Sequence, residues 1–276
     1  MAFDVQEIPF RCPVCKAPLH KIGNSLYCPS KHCFDRAKSS YYNLFLPTKS
    51  GQNFHGDNPL MVRARRAFLE KGYYAPLQKA IAETVKDYLK PNGWILDCGS
   101  GEGYYTKAIA DAIGDKAHLI GIDISKDAIA LASKKVKNAS FAVASAFHLP
   151  LPDESLSMLL QIFSPHCMEE FSRVLQKGGI FIEVFPGKMH LFDFKQAIYD
   201  VPYENAPTAF SIEGYTLLKE QHLEDRILLS TKEDIDNLFK MTPYYYKTGQ
   251  KEQERAKALG SLSMQTDFHI LVYQKQ

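Results

Sequence analysis

A glycine-rich turn near the middle of the chain constrains the fold more than any other feature. An apolar run at 94–98 leads into Gly99-Ser100-Gly101-Glu102-Gly103, and Asp123 follows 20 residues after the last glycine. Glycines permit tight turns and let a ligand approach the backbone closely. A carboxylate at the end of the next strand can accept hydrogen bonds from ribose hydroxyls. The pattern predicts an α/β domain that holds the sugar end of an adenosine-type ligand.

The spacing of these glycines distinguishes between two kinds of cofactor site. The dinucleotide pattern is G-x-G-x-x-G with a pyrophosphate at a helix N-terminus, whereas this turn reads D-x-G-x-G-x-G. A carboxylate ahead of the first glycine disfavours a phosphate and favours an ammonium, so the turn favours S-adenosylmethionine over NAD. In this it resembles the class I methyltransferases, and a purely structural glycine turn is the alternative. The residues expected to hold the cofactor here are Asp97, Gly99, Gly101, Gly103 and Asp123.

Four potential metal ligands lie near the N-terminus. Cys12-Pro13-Val14-Cys15 is followed by Cys28 after twelve residues and by His32 after three more. Two ligand pairs on short turns can close a tetrahedral zinc site, and four protein ligands leave no open position for chemistry. We therefore expect a structural zinc. Cys33 is an alternative to His32 as fourth ligand, and a disulfide is the competing interpretation, which the lack of a secretory segment disfavours.

Composition and charge limit the classes of function. The 276 residues suit one large α/β domain with a small appended module, and no apolar run is long enough to span a bilayer. We expect a cytoplasmic protein with no membrane partner. The net charge is only +2, yet residues 1–90 hold 14 Lys/Arg against 7 Asp/Glu, and the remainder holds 19 against 24. This uneven charge favours a polyanionic substrate held by the N-terminal part, with chance scatter as the alternative.

The ligand spacing, the composition and the resemblance together predict three parts: a zinc-binding module at 1–35, a linker and helical segment at 36–90, and a methyltransferase domain at 91–276. Within 41–57 the composition is typical of a linker or loop. Strands are predicted at 94–98, 118–123, 140–145, 156–163, 179–185 and 268–274. Helices are predicted at 58–70, 76–89, 103–113, 126–136, 167–176 and 231–240. Their alternation favours a mostly parallel sheet with helices on both faces.

A series of motifs gives a narrower resemblance, and it runs over nearly the whole chain. The motifs are Phe34-Asp35, Tyr42-Asn43-Leu44, Arg63-Ala64-Arg65-Arg66-Ala67-Phe68-Leu69, Gly72-Tyr73-Tyr74, Gly101-Glu102-Gly103-Tyr104-Tyr105-Thr106 and Gln265-Thr266-Asp267-Phe268. Together with the zinc module they resemble the bacterial 23S rRNA (guanine-N1)-methyltransferases. The resemblance implies methylation of N1 of a guanine in a hairpin loop of 23S rRNA, with S-adenosylmethionine and Zn²⁺ as cofactors. A homodimer is a further possibility.

The resemblance also carries site residues over to this chain. The family's zinc ligands, three cysteines and a histidine, map onto Cys12, Cys15, Cys28 and His32, and Cys33 departs from the family pattern. The family's cofactor contacts map onto Tyr74, Tyr105, Thr106 and His190. Tyr105 and Thr106 stand at a helix start, where backbone N–H groups face a ligand. A ring such as that of Tyr74 can face a sulfonium, although core packing is its alternative.

No catalytic base can be identified from the sequence. His166, Glu183 and Asp267 are polar candidates near predicted strand ends.

Arg63, Arg65 and Arg66 are expected to contact the RNA backbone, and pairing with acids of the core is the alternative. Two other functions stay open: a small-molecule or quinone methyltransferase with the same core, and a non-catalytic RNA-binding protein. The basic module disfavours the first, and the intact glycine motif disfavours the second.

Overall fold

The computed structural model describes residues 9–46 and 56–276. Strands β1 (His20–Ile22), β2 (Ser25–Tyr27) and β3 (Cys33–Asp35) form a small antiparallel sheet in the order β1-β2-β3. A fourth strand, β4 (Tyr42–Asn43), leaves this sheet and pairs in parallel with the main sheet. The N-terminal module thus ends as part of the large domain. Residues 47–55 of the predicted linker lie outside the described residues.

The rest of the chain alternates between helices and strands before ending in a long antiparallel pair. Its first half contains α1 (Pro59–Glu70), α2 (Ala75–Asp87), β5 (Trp94–Cys98), α3 (Tyr104–Ile113), β6 (His118–Asp123), α4 (Lys126–Lys135) and β7 (Ser140–Val143). Its second half contains β8 (Leu156–Ile162), α5 (Met168–Val174), β9 (Leu175–Pro186), α6 (Phe192–Ile198), β10 (Tyr215–Leu229), α7 (Lys232–Met241), α8 (Tyr244–Lys247), α9 (Gln250–Ala258) and β11 (Leu262–Lys275).

The main sheet has eight strands in the order β10-β11-β9-β8-β5-β6-β7-β4. The pairs from β9 through β8, β5, β6 and β7 to β4 are parallel, and β11 runs antiparallel to both of its neighbours. This confirms the predicted mostly parallel sheet. The chain order reverses between β5 and β8, and at such a switch point the carboxyl ends of the strands leave a crevice for ligands.

Two apolar clusters cover the two faces of the sheet. On β5, Ile95 belongs to one cluster and Leu96 to the other, as expected for side chains that alternate across a strand. The first cluster receives α1, α2, α3, α4, α6 and α7, and the second receives α5 and the N-terminal module. Phe10, at 1% exposure, is buried in this second cluster. The module therefore adds apolar residues to the core of the large domain.

Capping residues explain where the helices start. Asn58 accepts hydrogen bonds from two N–H groups of the first turn of α1, and Pro59 occupies a position where no donor is needed. Ser125 and Thr231 cap α4 and α7 in the same manner. The predicted elements at 58–70, 94–98 and 118–123 are confirmed almost to the residue.

The sequence analysis missed the strands β1, β2, β3, β4 and β10 and the helices α6, α8 and α9, and it placed the starts of β9 and β11 too late. Strand β4 lies within the segment 41–57, where a linker or loop was expected. Strand β10 lies at the sheet edge and exposes most of its side chains, so it lacks an apolar signal. Among the described residues, no helix is long and apolar enough to cross a membrane.

Candidate active site and zinc cluster

The glycine turn joins the end of β5 to the start of α3 and has three residues in the left-handed region. The φ angles are 86° at Gly99, 54° at Gly101 and 84° at Gly103. A side chain at Gly99 would collide with Ser164, and one at Gly103 would lie 3.0 Å from Ala132 of α4. A Cβ at Gly101 would meet nothing within 4 Å. The first and third glycines thus allow close packing, whereas the second faces open space in which a ligand fits.

Two carboxylates lie at the ends of the strands beside this turn. The Asp97 carboxylate is 1% exposed, and its Oδ2 accepts a 2.5 Å hydrogen bond from the Thr106 hydroxyl. Asp123 accepts a bond from the Gly101 backbone N–H at 3.0 Å and another from the Ser125 N–H at 2.8 Å. Its orientation is therefore fixed by the glycine turn and by the cap of α4. The Asp123 oxygens keep further lone pairs for a ribose.

Burial makes the site unfavourable for its own negative charges. The pKa of Asp97 is raised to about 7, mainly by burial; the Thr106 hydrogen bond acts to lower it, and the charges of Asp123 and Glu102 act to raise it. Burial also raises the pKa values of Glu102 and Asp123. Three carboxyl groups thus face one another with Arg65 as a nearby cation. A ligand that carries positive charge would restore the ordinary acidity of these groups.

Several buried polar atoms around the turn have no hydrogen-bond partner among the described residues. They are Asp97 Oδ1, Ser100 Oγ, Glu102 Oε1 and Tyr105 Oη. Buried polar groups are almost always paired, so a cluster of unpaired ones marks a place where a polar ligand binds. Both donors and acceptors are present. The residues fit a cofactor with an ammonium, a carboxylate and ribose hydroxyls.

Tyr74 and His190 meet at the same edge of the sheet, although 116 residues separate them. The Tyr74 hydroxyl lies 3.4 Å from His190 Nε2, and the Asp267 backbone N–H donates to His190 Nδ1 at 3.3 Å. Because Nδ1 accepts, the proton of the neutral ring lies on Nε2. Burial lowers the pKa of His190 to about 3, so the ring is neutral at physiological pH. The ring of Phe268 packs against both residues, with centroid distances of 5.0 and 4.5 Å.

The loop after β8 closes the site on another side. Ser164 donates to the Cys98 carbonyl at 2.6 Å and packs against Gly99. Phe163 has φ 53°, an unfavourable conformation for a large side chain, and its ring is 42% exposed. The ring lies 6.3 Å from Tyr105 and 5.6 Å from Phe268, between centroids. Strained backbone of this kind is concentrated at functional sites. This backbone conformation places the exposed ring of Phe163 at the mouth of the site.

The three polar candidates for a base occupy different surroundings. His166 Nδ1 lies 3.4 Å from Glu183 Oε1, and burial raises the pKa of Glu183 to about 7. Glu183 lies beside Gln161 in the register of β8 and β9. Asp267 instead accepts bonds from the Met189 N–H and from His222, which commits it to supporting the loop after β9. In the His166–Glu183 pair, the His166 side chain faces the solvent.

Cys12, Cys15, Cys28 and His32 converge in the N-terminal module. Their ligand atoms all lie within 4.8 Å of one another. The Cys15 and Cys28 sulfurs are 3.6 Å apart, and His32 Nδ1 lies 3.5 Å from the Cys12 sulfur and 3.2 Å from the Cys28 sulfur. Ligands arranged tetrahedrally at zinc–sulfur and zinc–nitrogen distances are separated by about 3.3–3.8 Å. The cluster therefore fits zinc.

Neighbouring groups favour this set over its alternatives. A backbone hydrogen bond from Ala17 lowers the pKa of Cys15 to about 6, which favours the thiolate that a metal needs. Cys33 is exposed on β3, and its sulfur lies 3.7 Å from Asp35 Oδ1, away from this cluster. All six cysteines are free in the structure.

Two of the three arginines of α1 pair with acids, which is the alternative to the predicted RNA contact. Arg65 binds the Asp57 carboxylate and donates to the Met241 carbonyl at 3.2 Å. Arg66 pairs with Glu70 at 2.8 Å, four residues along the same helix. For Arg65 these contacts favour the alternative to RNA contact, because its guanidinium group is engaged within the protein. Arg66 is exposed, and its pair with Glu70 on the same helix leaves its RNA contact a prediction. Arg63 is exposed, and its contact with the RNA backbone stays a prediction.

Comparisons with known proteins identify the family of this chain. A family model described as "Methyltransferase domain" matches residues 89–241, and a zinc-ribbon model described as "RlmA, N-terminal" matches residues 10–51. A Streptomyces fradiae protein, "23S rRNA (guanine(748)-N(1))-methyltransferase", is 35% identical over 192 residues, which cover 68% of this chain and 67% of that protein. YxjB of Bacillus subtilis (strain 168), provisionally named a 23S rRNA (guanine-N(1)-)-methyltransferase, is 32% identical over 96% of this chain and 97% of its own length.

The chain belongs to the 23S rRNA (guanine-N1)-methyltransferase family. A Micromonospora griseorubida protein with the same provisional name is also similar, at 30% identity over 86% of this chain and 87% of that protein. The chain is therefore an enzyme with a class I methyltransferase fold, and its cofactors are S-adenosylmethionine and Zn²⁺.

The structure brings the predicted cofactor residues to the carboxyl edge of the sheet, and Phe163 and Ser164 at the end of the predicted strand 156–163 lie there too. It also adds two residues that sequence reasoning did not place at this site. Asp57 and Arg65 border the turn, and Arg65 lies close enough to Glu102 for the two charges to interact. The positive φ of Phe163 could not be read from its residue type.

Proposed function

We propose that this protein transfers the methyl group of S-adenosylmethionine to N1 of a guanine in a hairpin loop of 23S rRNA. The observation that supports this most is the combination of two features in one body: a pocket edge with three buried carboxyl groups and a zinc module docked on the same sheet. The buried carboxyl groups suit a cationic cofactor, and the basic zinc module suits an RNA. Family membership supplies the substrate class.

In this proposal the chain's own residues divide into binding and positioning groups. Asp97 and its neighbours accept hydrogen bonds from the cofactor's ammonium, and Asp123 accepts bonds from the ribose hydroxyls. Tyr74, Tyr105, Thr106 and His190 line the rest of the cofactor site. When bound, the cofactor supplies an activated methyl group on a sulfonium. The glycine turn sets the distance between backbone and ligand.

The target guanine must be presented outside any stack before its N1 can react. Recognition of single-stranded loop bases commonly uses aromatic side chains on which the base stacks. Phe163 offers an exposed ring at the mouth of the site, beside Tyr105. N1 carries a proton at neutral pH, so an acceptor for that proton assists the transfer. The His166–Glu183 pair is the candidate acceptor, because His166 lies in the loop after β8 and burial raises the pKa of Glu183 to about 7.

We further propose that Cys12, Cys15, Cys28 and His32 hold the zinc. The module binds the RNA backbone through exposed basic residues such as Lys16, Lys21 and Lys31. The division into 1–35, 36–90 and 91–276 remains a prediction that limited proteolysis can test. The substrate would place the enzyme in the cytoplasm. A homodimer is an open prediction, and light scattering of the zinc-loaded protein measures it.

The decisive experiment is methylation in vitro. Unmodified 23S rRNA and a synthetic hairpin are incubated with the zinc-loaded protein and S-adenosylmethionine, and the product is read by reverse transcription. A methyl group on guanine N1 blocks Watson–Crick pairing, so the proposal expects a new stop at a loop guanine. A hairpin whose loop guanine is replaced by inosine retains N1 and should still react, whereas replacement by adenine should not. Methyl transfer to a quinone or another small molecule but not to rRNA would overturn the proposal.

A further inference from the structure

Lys195 is buried in an unusual environment next to the candidate active site. It lies on α6 with 0% exposure, although lysine is almost never fully buried without a paired acid. Its Nζ donates a 2.6 Å hydrogen bond to Asn205 Oδ1 and lies 4.5 Å and 5.2 Å from the ring centres of Tyr203 and Tyr244. In the described structure its partners are thus an amide and two aromatic rings, with no carboxylate among them.

Asn205 connects this lysine to the loop that carries His190. Its side-chain nitrogen donates to the Gly187 carbonyl at 2.8 Å and to the His190 carbonyl at 3.2 Å. Its backbone N–H donates to the Lys188 carbonyl at 3.0 Å. Its side-chain oxygen accepts from Lys195 and also from the Tyr244 hydroxyl at 3.2 Å. Every polar atom of this amide is used, and three carbonyls of one four-residue loop depend on a single residue.

The same loop is held from the other side by Asp267. The Gly187 N–H donates to the Asp267 carbonyl at 2.8 Å, and the Met189 N–H donates to the Asp267 carboxylate at 2.7 Å. A side chain at Gly187 would collide with that carboxylate. Asp267 therefore binds the N–H groups of the loop and Asn205 binds its C=O groups. The two residues clamp the loop in one conformation.

The charge of Lys195 strengthens one half of this clamp. A cation that donates to an amide oxygen polarises the amide, and its N–H groups then become better donors. The two tyrosine rings stabilise the ammonium while they keep water away. Burial of a lysine without an acid is costly, and such a residue is found where its charge is used.

We propose that Lys195 and Asn205 are positioning residues that hold the Gly187–His190 loop in the conformation in which His190 meets the cofactor. This rests on the proposed function only through the role of His190. In this proposal the two residues act through the loop and not through direct contact with the cofactor or the RNA. Their effect is therefore on the affinity for S-adenosylmethionine, which can be measured with no RNA present.

The variant Asn205→Asp keeps the hydrogen bonds that the side chain accepts and removes those that it donates. The aspartate still accepts from Lys195 and Tyr244, but it cannot donate to the Gly187 and His190 carbonyls, and it repels them. We expect a folded protein, verified by a cooperative melting transition, because the new carboxylate pairs with the Lys195 ammonium. Loss of two hydrogen bonds should raise the dissociation constant for S-adenosylmethionine about tenfold. Asn138→Asp is the matched control, because Asn138 donates to the Ala110 carbonyl far from this loop.

Lys195→Met and Tyr244→Phe provide a second measurement that does not depend on the folding of the Asn205→Asp variant. Methionine keeps the buried length without the charge, and phenylalanine removes one bond to Asn205 while it keeps the ring. The expected weakening is larger for Lys195→Met than for Tyr244→Phe, about tenfold against about twofold. Nitrogen-15 NMR of the histidines should report a changed His190 ring in Asn205→Asp and Lys195→Met, and an unchanged one in Asn138→Asp.

Folded variants that bind S-adenosylmethionine as the wild type does, with an unchanged His190 signal, would overturn this role. The outcome is distinct from failure of the proposed function. A wild-type protein that binds the cofactor but does not methylate rRNA would overturn that function, and the comparison of cofactor affinities would still stand.

Discussion

The buried Asp97 should make the cofactor-free enzyme lose stability as the pH rises. Its pKa moves from an ordinary 3.8 to about 7 in the folded protein, mainly because of burial. An acid with a raised folded-state pKa binds protons more tightly when folded, so the free energy of unfolding falls as pH rises from about 4 to about 7. At 1.36 kcal/mol per pH unit, this interval corresponds to at most about 4 kcal/mol.

Asp97→Asn removes this charge and keeps the acceptor for the Thr106 hydroxyl. We expect the variant to unfold at higher urea than the wild type at pH 8, by up to about 4 kcal/mol, and to show a smaller difference at pH 6. The gain in stability comes with a loss of function: affinity for S-adenosylmethionine should fall, because the ammonium loses its carboxylate. In the wild type the cofactor should bind more tightly as pH rises through about 7.

The assay is urea unfolding of zinc-loaded wild type, Asp97→Asn and a control at pH 6, 7 and 8, each with and without cofactor. Asp111→Asn is the control, because Asp111 is exposed on α3 and pairs with Lys107. Differences between variants at one pH cancel the effect of pH on the zinc ligands. A stability difference between wild type and Asp97→Asn that does not grow with pH would refute the reasoning. So would unchanged cofactor affinity in the variant.

Three further outcomes are expected. Asp123→Ala should weaken S-adenosylmethionine binding about ten- to a hundredfold, measured by calorimetry, since a charged acceptor is lost; an unaltered dissociation constant would remove Asp123 from the site. Cys28→Ala or a chelator should release one zinc per chain and abolish rRNA methylation while cofactor binding largely survives, and full methylation by metal-free protein would contradict this. Arg65→Met should lower the melting temperature and leave the salt dependence of RNA binding unchanged. Arg63→Met should leave the stability unchanged and reduce the slope of log binding constant against log salt concentration by about 0.7–0.9.

The glycine turn and the carboxylates beside it were predictable because their requirements are local in sequence. A turn with three glycines beside Asp97 specifies a backbone path, and the next strand end places Asp123 within reach of Gly101. The zinc cluster was predictable for the same reason, since short spacings bring its ligands together. The parallel core followed from apolar runs that alternate with amphipathic ones.

What the sequence could not reveal depends on contacts between distant segments. Arg65 was assigned to RNA because charge alone does not show that Asp57 and the Met241 carbonyl take its guanidinium. Strand β10 lacks an apolar pattern because it lies at the sheet edge. Lys195 looks like an ordinary surface lysine of a short helix, and only the tertiary structure shows that Asn205 and two tyrosines enclose it.

The pairing of β4 with β7 also has a consequence for synthesis on the ribosome. Tyr42 lies opposite Ala142, one hundred residues later in the chain. The N-terminal module is made first, but β7, the strand with which β4 pairs, leaves the ribosome much later. During that interval the module has only its small sheet and its metal ligands to order it, because its apolar residues await the second cluster of the core. Zinc availability in the cell would then influence the yield of folded enzyme during translation, before any substrate is met.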